Sequence, residues 1–148
     1  ITTPYLIPDA GLIQALEVAC LRGVRVRLIV PEKSDQFVVG HAARAYFGDL
    51  LRIGVELYLY QDGLLHAKTM SVDGELTFLG SSNFDIRSFA LNFEINLILY
   101  GRQENASLLQ TQEDYRSRSR LLVLEEWQGR PRWMPPVERV TKLFSPLL

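Results

Sequence analysis

The sequence predicts an α/β fold, a mixed β-sheet flanked by helices. Three observations lead there. Runs of alternating apolar residues, such as residues 24–30, take turns with runs of helical period, such as residues 10–21. An Asp73-Gly74 pair separates two strand-like runs and reads as a two-residue hairpin, adding antiparallel pairing to strands otherwise joined through helices. The chain has 148 residues, 47% of them hydrophobic, which suffices for one core.

In order, residues 1–5 read as a short strand stopped by Pro4 and Pro8, and Asp9 can cap a helix running to Leu21 because its carboxylate accepts an orphan amide. Leu12, Ile13, Leu16, Ala19 and Cys20 form that helix's apolar stripe, so Cys20 is expected as a buried structural thiol. Gly23 ends the helix. In residues 24–30, Val24, Val26, Leu28 and Val30 share one face and Arg25 and Arg27 the other, completing a parallel, right-handed strand-helix-strand unit. After the loop 31–36 come a helix over 37–53, closed by Gly54, and a strand over 55–60. Gln61-Asp62-Gly63 turns the chain into the hairpin of residues 65–72 and 75–79. A strand over 92–100 and a long helix over 104–124 complete the expected fold.

The chemistry gathers at that hairpin. In an extended segment alternate side chains share a face, so His66 stands beside the fixed positive charge of Lys68. The return strand ends in Gly80-Ser81-Ser82-Asn83, where small residues admit a ligand and the Ser81 hydroxyl and Asn83 amide offer hydrogen bonds to phosphate oxygens. A phosphodiester repels nucleophiles through its anionic oxygens. Lys68 and Asn83 suit neutralisation, and a neutral imidazole suits attack or proton donation. Glu94 either holds the second ring nitrogen of His66 or is a solvated strand residue, and the residues alone leave both open. Asp73 is a turn residue rather than a catalyst. No carboxylate set with two-metal spacing lies near His66, and His41 sits in a helical pattern as a surface or pocket-wall residue, so neither metal nor cofactor is expected.

The pattern His66-x-Lys68-x4-Asp73-x6-Gly80-Ser81-x-Asn83 resembles the HKD signature of the phospholipase D superfamily. The wider run from Thr2 to Asp9, together with Arg22-Gly23-Val24-Arg25, Ser34-Asp35, Asn83-Phe84-Asp85-Ile86-Arg87-Ser88 and Leu91-Asn92-Phe93-Glu94, is similar to the C-terminal half of bacterial cardiolipin synthases. This resemblance implies one half of a pseudo-dimeric enzyme, with residues 1–125 as the catalytic half-domain. It implies His66, Lys68, Asn83 and Glu94 as catalytic residues, Ser81, Tyr5 and Arg87 as substrate-binding residues, and Asp73 and Gly80 as structural positions. Asp85 and Ser88 would share the pocket rim with Arg87. The implied reaction is phosphatidyl transfer from phosphatidylglycerol through a phosphohistidine at the cytoplasmic face of the bacterial inner membrane. The implied partners are the phospholipid, the membrane surface and a second HKD half, from upstream or from a homodimer. His41 is followed by Ala42 and Ala43, so only one His-x-Lys motif is present. The chain alone is therefore expected to be inactive, and whether His66 is nucleophile or general acid depends on the absent half.

Composition bounds the rivals. The net charge of −1 provides no broad cationic field, which disfavours a homodimeric endonuclease of the same superfamily and gives nucleic acid no place in the preferred reading. A noncatalytic membrane-binding module is the rival from another class. No apolar run reaches the ~20 residues that span a bilayer, and a start at Ile1 rather than methionine reads as a fragment whose anchor could lie upstream. Residues 126–148 form a tail with Trp127, Arg130, Arg132, Trp133 and prolines ahead of a short amphipathic helix over 137–148. Such a tail suits a membrane surface or packing on its own domain, and both readings stand.

Overall fold

The structure, a computed structural model, describes residues 1–131 together with residues 134, 136, 138 and 140. In chain order the elements are β1 (Leu6–Ile7), α1 (Ala10–Leu21), β2 (Arg27–Pro31), α2 (Phe37–Arg52), β3 (Glu56–Tyr60), β4 (Thr69–Val72), β5 (Leu76–Gly80), β6 (Phe84–Asp85), α3 (Ile86–Ala90), β7 (Asn96–Tyr100), α4 (Arg102–Ser117), β8 (Ser119–Leu122) and α5 (Leu124–Gln128).

Asp9 caps α1 as its sequence position predicts, its carboxylate accepting the Leu12 amide at 2.7 Å. Leu16 is buried, while Leu12, Ile13, Ala19 and Cys20 are half-buried against the core, so the stripe faces inward with only its centre covered. Cys20 is thus less enclosed than expected, although desolvation still pushes its thiol pKa up. The strand expected over 24–30 begins only at Arg27. The Gly23 and Val24 amides still serve the end of α1, donating to the Cys20 and Ala19 carbonyls. β2 and β3 pair in parallel with Arg27 opposite Glu56, and the Arg27 guanidinium meets that carboxylate at 3.2 Å while Val26, Leu28 and Val30 are buried.

The N-terminal segment does more than flank this pair. Thr2 bridges Ile29 of β2 in parallel and Thr69 of β4 antiparallel, through amide and carbonyl bonds of 2.8–3.1 Å to both neighbours. It thereby stitches two three-stranded ladders, β8-β3-β2 and β4-β5-β7, into one sheet. Thr2 and Thr3 have no exposed surface, as befits a central strand. The hairpin between β4 and β5 turns at Asp73 (φ 51°) and Gly74 (φ 72°), the two positive values that a tight connection of this kind requires.

One expectation fails at the C-terminal side. The helix expected over 104–124 stops at Ser117, and residues 119–122 form β8 instead, antiparallel to β3 with Leu122 opposite Leu57. The open edge of β3 offers those residues backbone partners and a buried place for Leu122, and that tertiary pairing outweighs helical period. The boundary expected at 125/126 falls inside α5. Its Trp127 is buried on Phe47 of α2, with ring centroids 5.3 Å apart, in a space that Gly48 leaves by lacking a side chain. Arg130 lies 3.1 Å above the indole and pairs with Glu138 at 2.6 Å. Trp127 therefore packs on α2, and Arg130 on Trp127 and Glu138. Arg132, Trp133 and most of the amphipathic helix over 137–148 lie outside the described residues.

Replacing Trp127 with Ala is expected to destabilise the chain by about 3–5 kcal/mol, the usual cost of emptying a buried aromatic site. Urea unfolding of the two proteins would read the difference directly. Truncation after residue 125 should shift the midpoint in the same direction.

Candidate active site

Residues 64–68 run extended into β4 without strand pairing of their own, apart from the Lys68 carbonyl, which accepts the Gly80 amide at 3.2 Å. His66 is exposed there. The edge of its ring meets Tyr5 with centroids 6.0 Å apart and planes at 84°. The Lys68 ammonium folds onto the His66 carbonyl at 3.2 Å. Partial desolvation lowers the Lys68 pKa, while the charges of Glu94 and Asp85 oppose that shift.

The second wall comes from the hairpin's open end. Gly80 lies so close to β7 that an added Cβ would collide with the Ile95 carbonyl and Asn96. The space at Gly80 thus serves strand-to-strand contact. Ser81 is held in the same way, its amide on the Ile95 carbonyl at 3.0 Å and its hydroxyl accepting the Ile95 amide at 3.0 Å. That hydroxyl donates to the Glu94 carboxylate. In this structure the Ser81 hydroxyl is engaged by Glu94. Glu94 also accepts the Asn92 amide at 3.3 Å, and the hydrogen bonds, led by that from Ser81, hold its pKa below the ordinary carboxylate range. Among the described residues no hydrogen bond joins Glu94 to His66. The chain ahead of β7 is pinned to Ser81, and the carboxylate takes the nearest donor.

Asn83 is placed by local packing that spacing alone does not reveal. The pairing of β1 with β6 sets Leu6 beside Phe84 and Ile7 beside Asp85. Thr3 Oγ1 accepts the Phe84 amide at 3.2 Å and donates to the Tyr5 carbonyl at 2.7 Å, tying Tyr5 to the segment that carries Asn83. The Asn83 amide nitrogen of the backbone donates to Ser88 Oγ at 3.1 Å. Asp85 is a buried cap for α3, its carboxylate accepting the Ser88 amide at 2.7 Å, so it braces the turn while Arg87 lines a small polar cavity with Tyr5 and Asn83. His41 lines a different cleft, of about 460 Å³, with its Nδ1 2.9 Å from the Phe37 carbonyl, in keeping with a pocket-wall residue. Among the described residues no three His, Cys, Asp or Glu side chains group as metal ligands. Thr3 and Asn92 carry no chemical signal in the sequence. Only the strand pairing and the Glu94 contact reveal them.

The sheet, with a single His-x-Lys segment entering it beside the N-terminal strand, has the phospholipase D fold. Nuc from Salmonella typhimurium, a phospholipase D family member, superposes with a TM-score of 0.70 at 22% identity, over 82% of this chain and 79% of that one. Phosphatidylserine synthase of Haemophilus influenzae superposes with a TM-score of 0.75 at 20% identity, over 99% of this chain and 38% of its own. Residues 1–115 match the family described as cardiolipin synthase, PLD-like domain, and the chain belongs to that family. It is 49% identical over 147 residues to cardiolipin synthase A of Pectobacterium carotovorum and of Pectobacterium atrosepticum, and 48% identical to that of Cronobacter sakazakii. Each alignment takes in 99% of this chain but 30% of the relative, so the chain spans about a third of the length of these proteins.

Because the Ser81 hydroxyl is the first cause of the low Glu94 pKa, Ser81→Ala should raise that pKa toward the ordinary glutamate value. Carboxyl-carbon NMR across an acid titration would show the shift. An unmoved Glu94 would mean that Ser81 does not hold it.

Proposed function

We propose that this chain supplies one half-site of a phosphatidyltransferase that makes cardiolipin from phosphatidylglycerol. The observation that carries the reading is membership of a family whose relatives are named cardiolipin synthases, and the Lys68 ammonium at the His66 carbonyl with the charge of the Ser81-bound Glu94 acting on it supports it. An apolar cleft of about 430 Å³, walled by Met70, Phe78, Phe84 and Phe89, opens at Lys68 and suits an acyl-bearing substrate better than a nucleic acid.

In the first step an imidazole nitrogen attacks phosphorus, the bond from phosphorus to the headgroup glycerol oxygen breaks, and an acid protonates the departing alkoxide. In the second step the hydroxyl of another phosphatidylglycerol attacks, its proton passes to that same group, now a base, and the nitrogen-phosphorus bond breaks. His66 performs one of these roles and the histidine of the second half the other. Lys68 and the Asn83 amide stabilise the phosphate oxygens. Glu94, held by Ser81 and Asn92, fixes the electrostatic surroundings of Lys68.

The second half comes from elsewhere in the longer protein and covers the strip made by Phe89, Leu91, Phe93, Ile95 and Leu97. All five are exposed, Phe93 completely, and they run from α3 through the connection that carries Glu94 to the start of the edge strand β7. The working location is the cytoplasmic membrane surface. No helix among the described residues is long and apolar enough to cross a membrane.

In the complete enzyme, His66→Ala and His66→Asn should lower phosphatidyl transfer by about 10²–10⁴-fold or more while leaving the circular dichroism spectrum unchanged. Near-full transfer by either variant would remove His66 from the chemistry. Efficient nicking of plasmid DNA without lipid turnover would replace the lipid reading with a nuclease.

A further inference from the structure

The sheet is covered unevenly. Strand pairing sets Met70, Phe78 and Ile98 in one row across β4, β5 and β7, and Val72, Leu76 and Tyr100 in a row two residues further on, so all six share a face. The rows between them point the other way. There Thr69 and Thr77 are buried and Gln112 of α4 donates to Thr69 Oγ1 at 2.8 Å, so α4 covers that side. The first face lacks such a cover among the described residues. The helices on its side, α1, α2 and α5, gather over β2, β3 and β8, while Val72, Ile98 and Tyr100 stand 40%, 46% and 72% exposed.

This floor also has a wall. Leu12, Ala15 and Leu16 of α1 line the apolar cleft together with Met70 and Phe78, and Gly11 and Val18 share the flank of Ala15 at helical spacing. Ala15 and Val18 are exposed there although both are apolar. Packed helices lie about 8–10 Å apart and paired strands about 4.8 Å apart, so a helix beside α1 sits about two strands along the sheet, over β4 and β5. The trough is one helix wide. From Gly11 to Val18 the flank runs roughly 10 Å, about two turns, and at the upper end the floor turns polar with Lys68 and Asn96. Because α1 rises along one side, a broad flat partner such as a second copy or a bilayer is held off the floor, whereas a single helix reaches it. This chain matches 30% of each cardiolipin synthase A relative, so most of such a protein is available to supply one. We infer that an amphipathic α-helix from the rest of the longer protein seats in this trough, its apolar stripe on Met70, Val72, Phe78 and Ile98 and its polar face outward. The mouth of the cleft beside Lys68, Phe84 and Phe89 stays open above it. The inference needs the longer protein but not the transfer reaction.

The test places Val72→Cys or Ile98→Cys in the full-length enzyme and follows maleimide labelling of that residue by mass spectrometry. Each rate is compared with that of the same protein unfolded in urea, and circular dichroism checks that the variants fold. A seated helix should slow labelling about tenfold or more at both positions. Unslowed labelling at Ile98→Cys overturns the inference. Protection that is lost on dilution gives the face to a second copy, and protection gained only with added phospholipid vesicles gives it to a bilayer, and either result overturns the inference too. A photoreactive side chain, Tyr100→benzoylphenylalanine, then identifies the occupant. Cross-links within the same polypeptide at spacings of three and four residues support a helix, and cross-links without that period overturn it. Labelling needs no turnover, so a failure of phosphatidyl transfer in these proteins counts against the proposed function alone.

Discussion

The double pairing of Thr2 is the constraint on which the other features depend. One residue's amide and carbonyl face β4, while the carbonyl of Ile1 and the amide of Thr3 face β2, and among the described residues no other backbone bond joins the two three-stranded ladders. In a dry central position each of those groups would be costly if left unpaired. The register that satisfies them also sets the distance between Tyr5, at the end of the N-terminal strand, and His66, just ahead of β4. The site's geometry is therefore a by-product of closing the sheet, and its chemical side chains lie on segments that leave strands rather than on the strands themselves.

Charge at this centre is arranged with economy. Lys68 is the cation in the middle, with the carboxylates of Glu94 and Asp85 on either side and the Ser81 hydroxyl holding Glu94 ionised. Two carboxylates near one ammonium favour its charged form against the desolvation that works the other way. They also repel an incoming phosphate, so under the proposed function the phosphate has to gain from more than Lys68 alone, which is the part the proposal gives to the Asn83 amide and to a second half. The proposal agrees with the motif count, since the chain carries a single His-x-Lys where the proposed reaction uses two.

Much of the fold was legible because it follows from local rules. Asp9, Gly23, Asp73 and Gly74 announce a cap, a stop and a turn through their own stereochemistry, and the structure uses each in that way. What was not legible depends on partners distant in sequence. Residues 119–122 look helical until the free edge of β3 is known, β1 and β6 are two-residue strands defined only by each other, and the place of Trp127 stays open until Gly48 is seen to leave room for it. The site divides in the same way. His66, Lys68 and Asn83 were readable as a pattern, and the structure brings their segments together around Tyr5. The bond of Glu94 to Ser81 in place of His66 was not readable, because it depends on how closely Gly80 and Ile95 approach.

The guanidinium of Arg130 stacked on the Trp127 indole has an optical consequence. A cation held against that ring perturbs its excited state, so the emission of Trp127 reports whether Arg130 is seated. The sequence has two tryptophans, and exchanging the other, Trp133, for phenylalanine would leave Trp127, packed between α5 and Phe47 of α2, as the single tryptophan. Vesicles or the remainder of the protein that pulled the tail away would then announce themselves as a change in intensity and wavelength, in real time and without any modification near the chemistry.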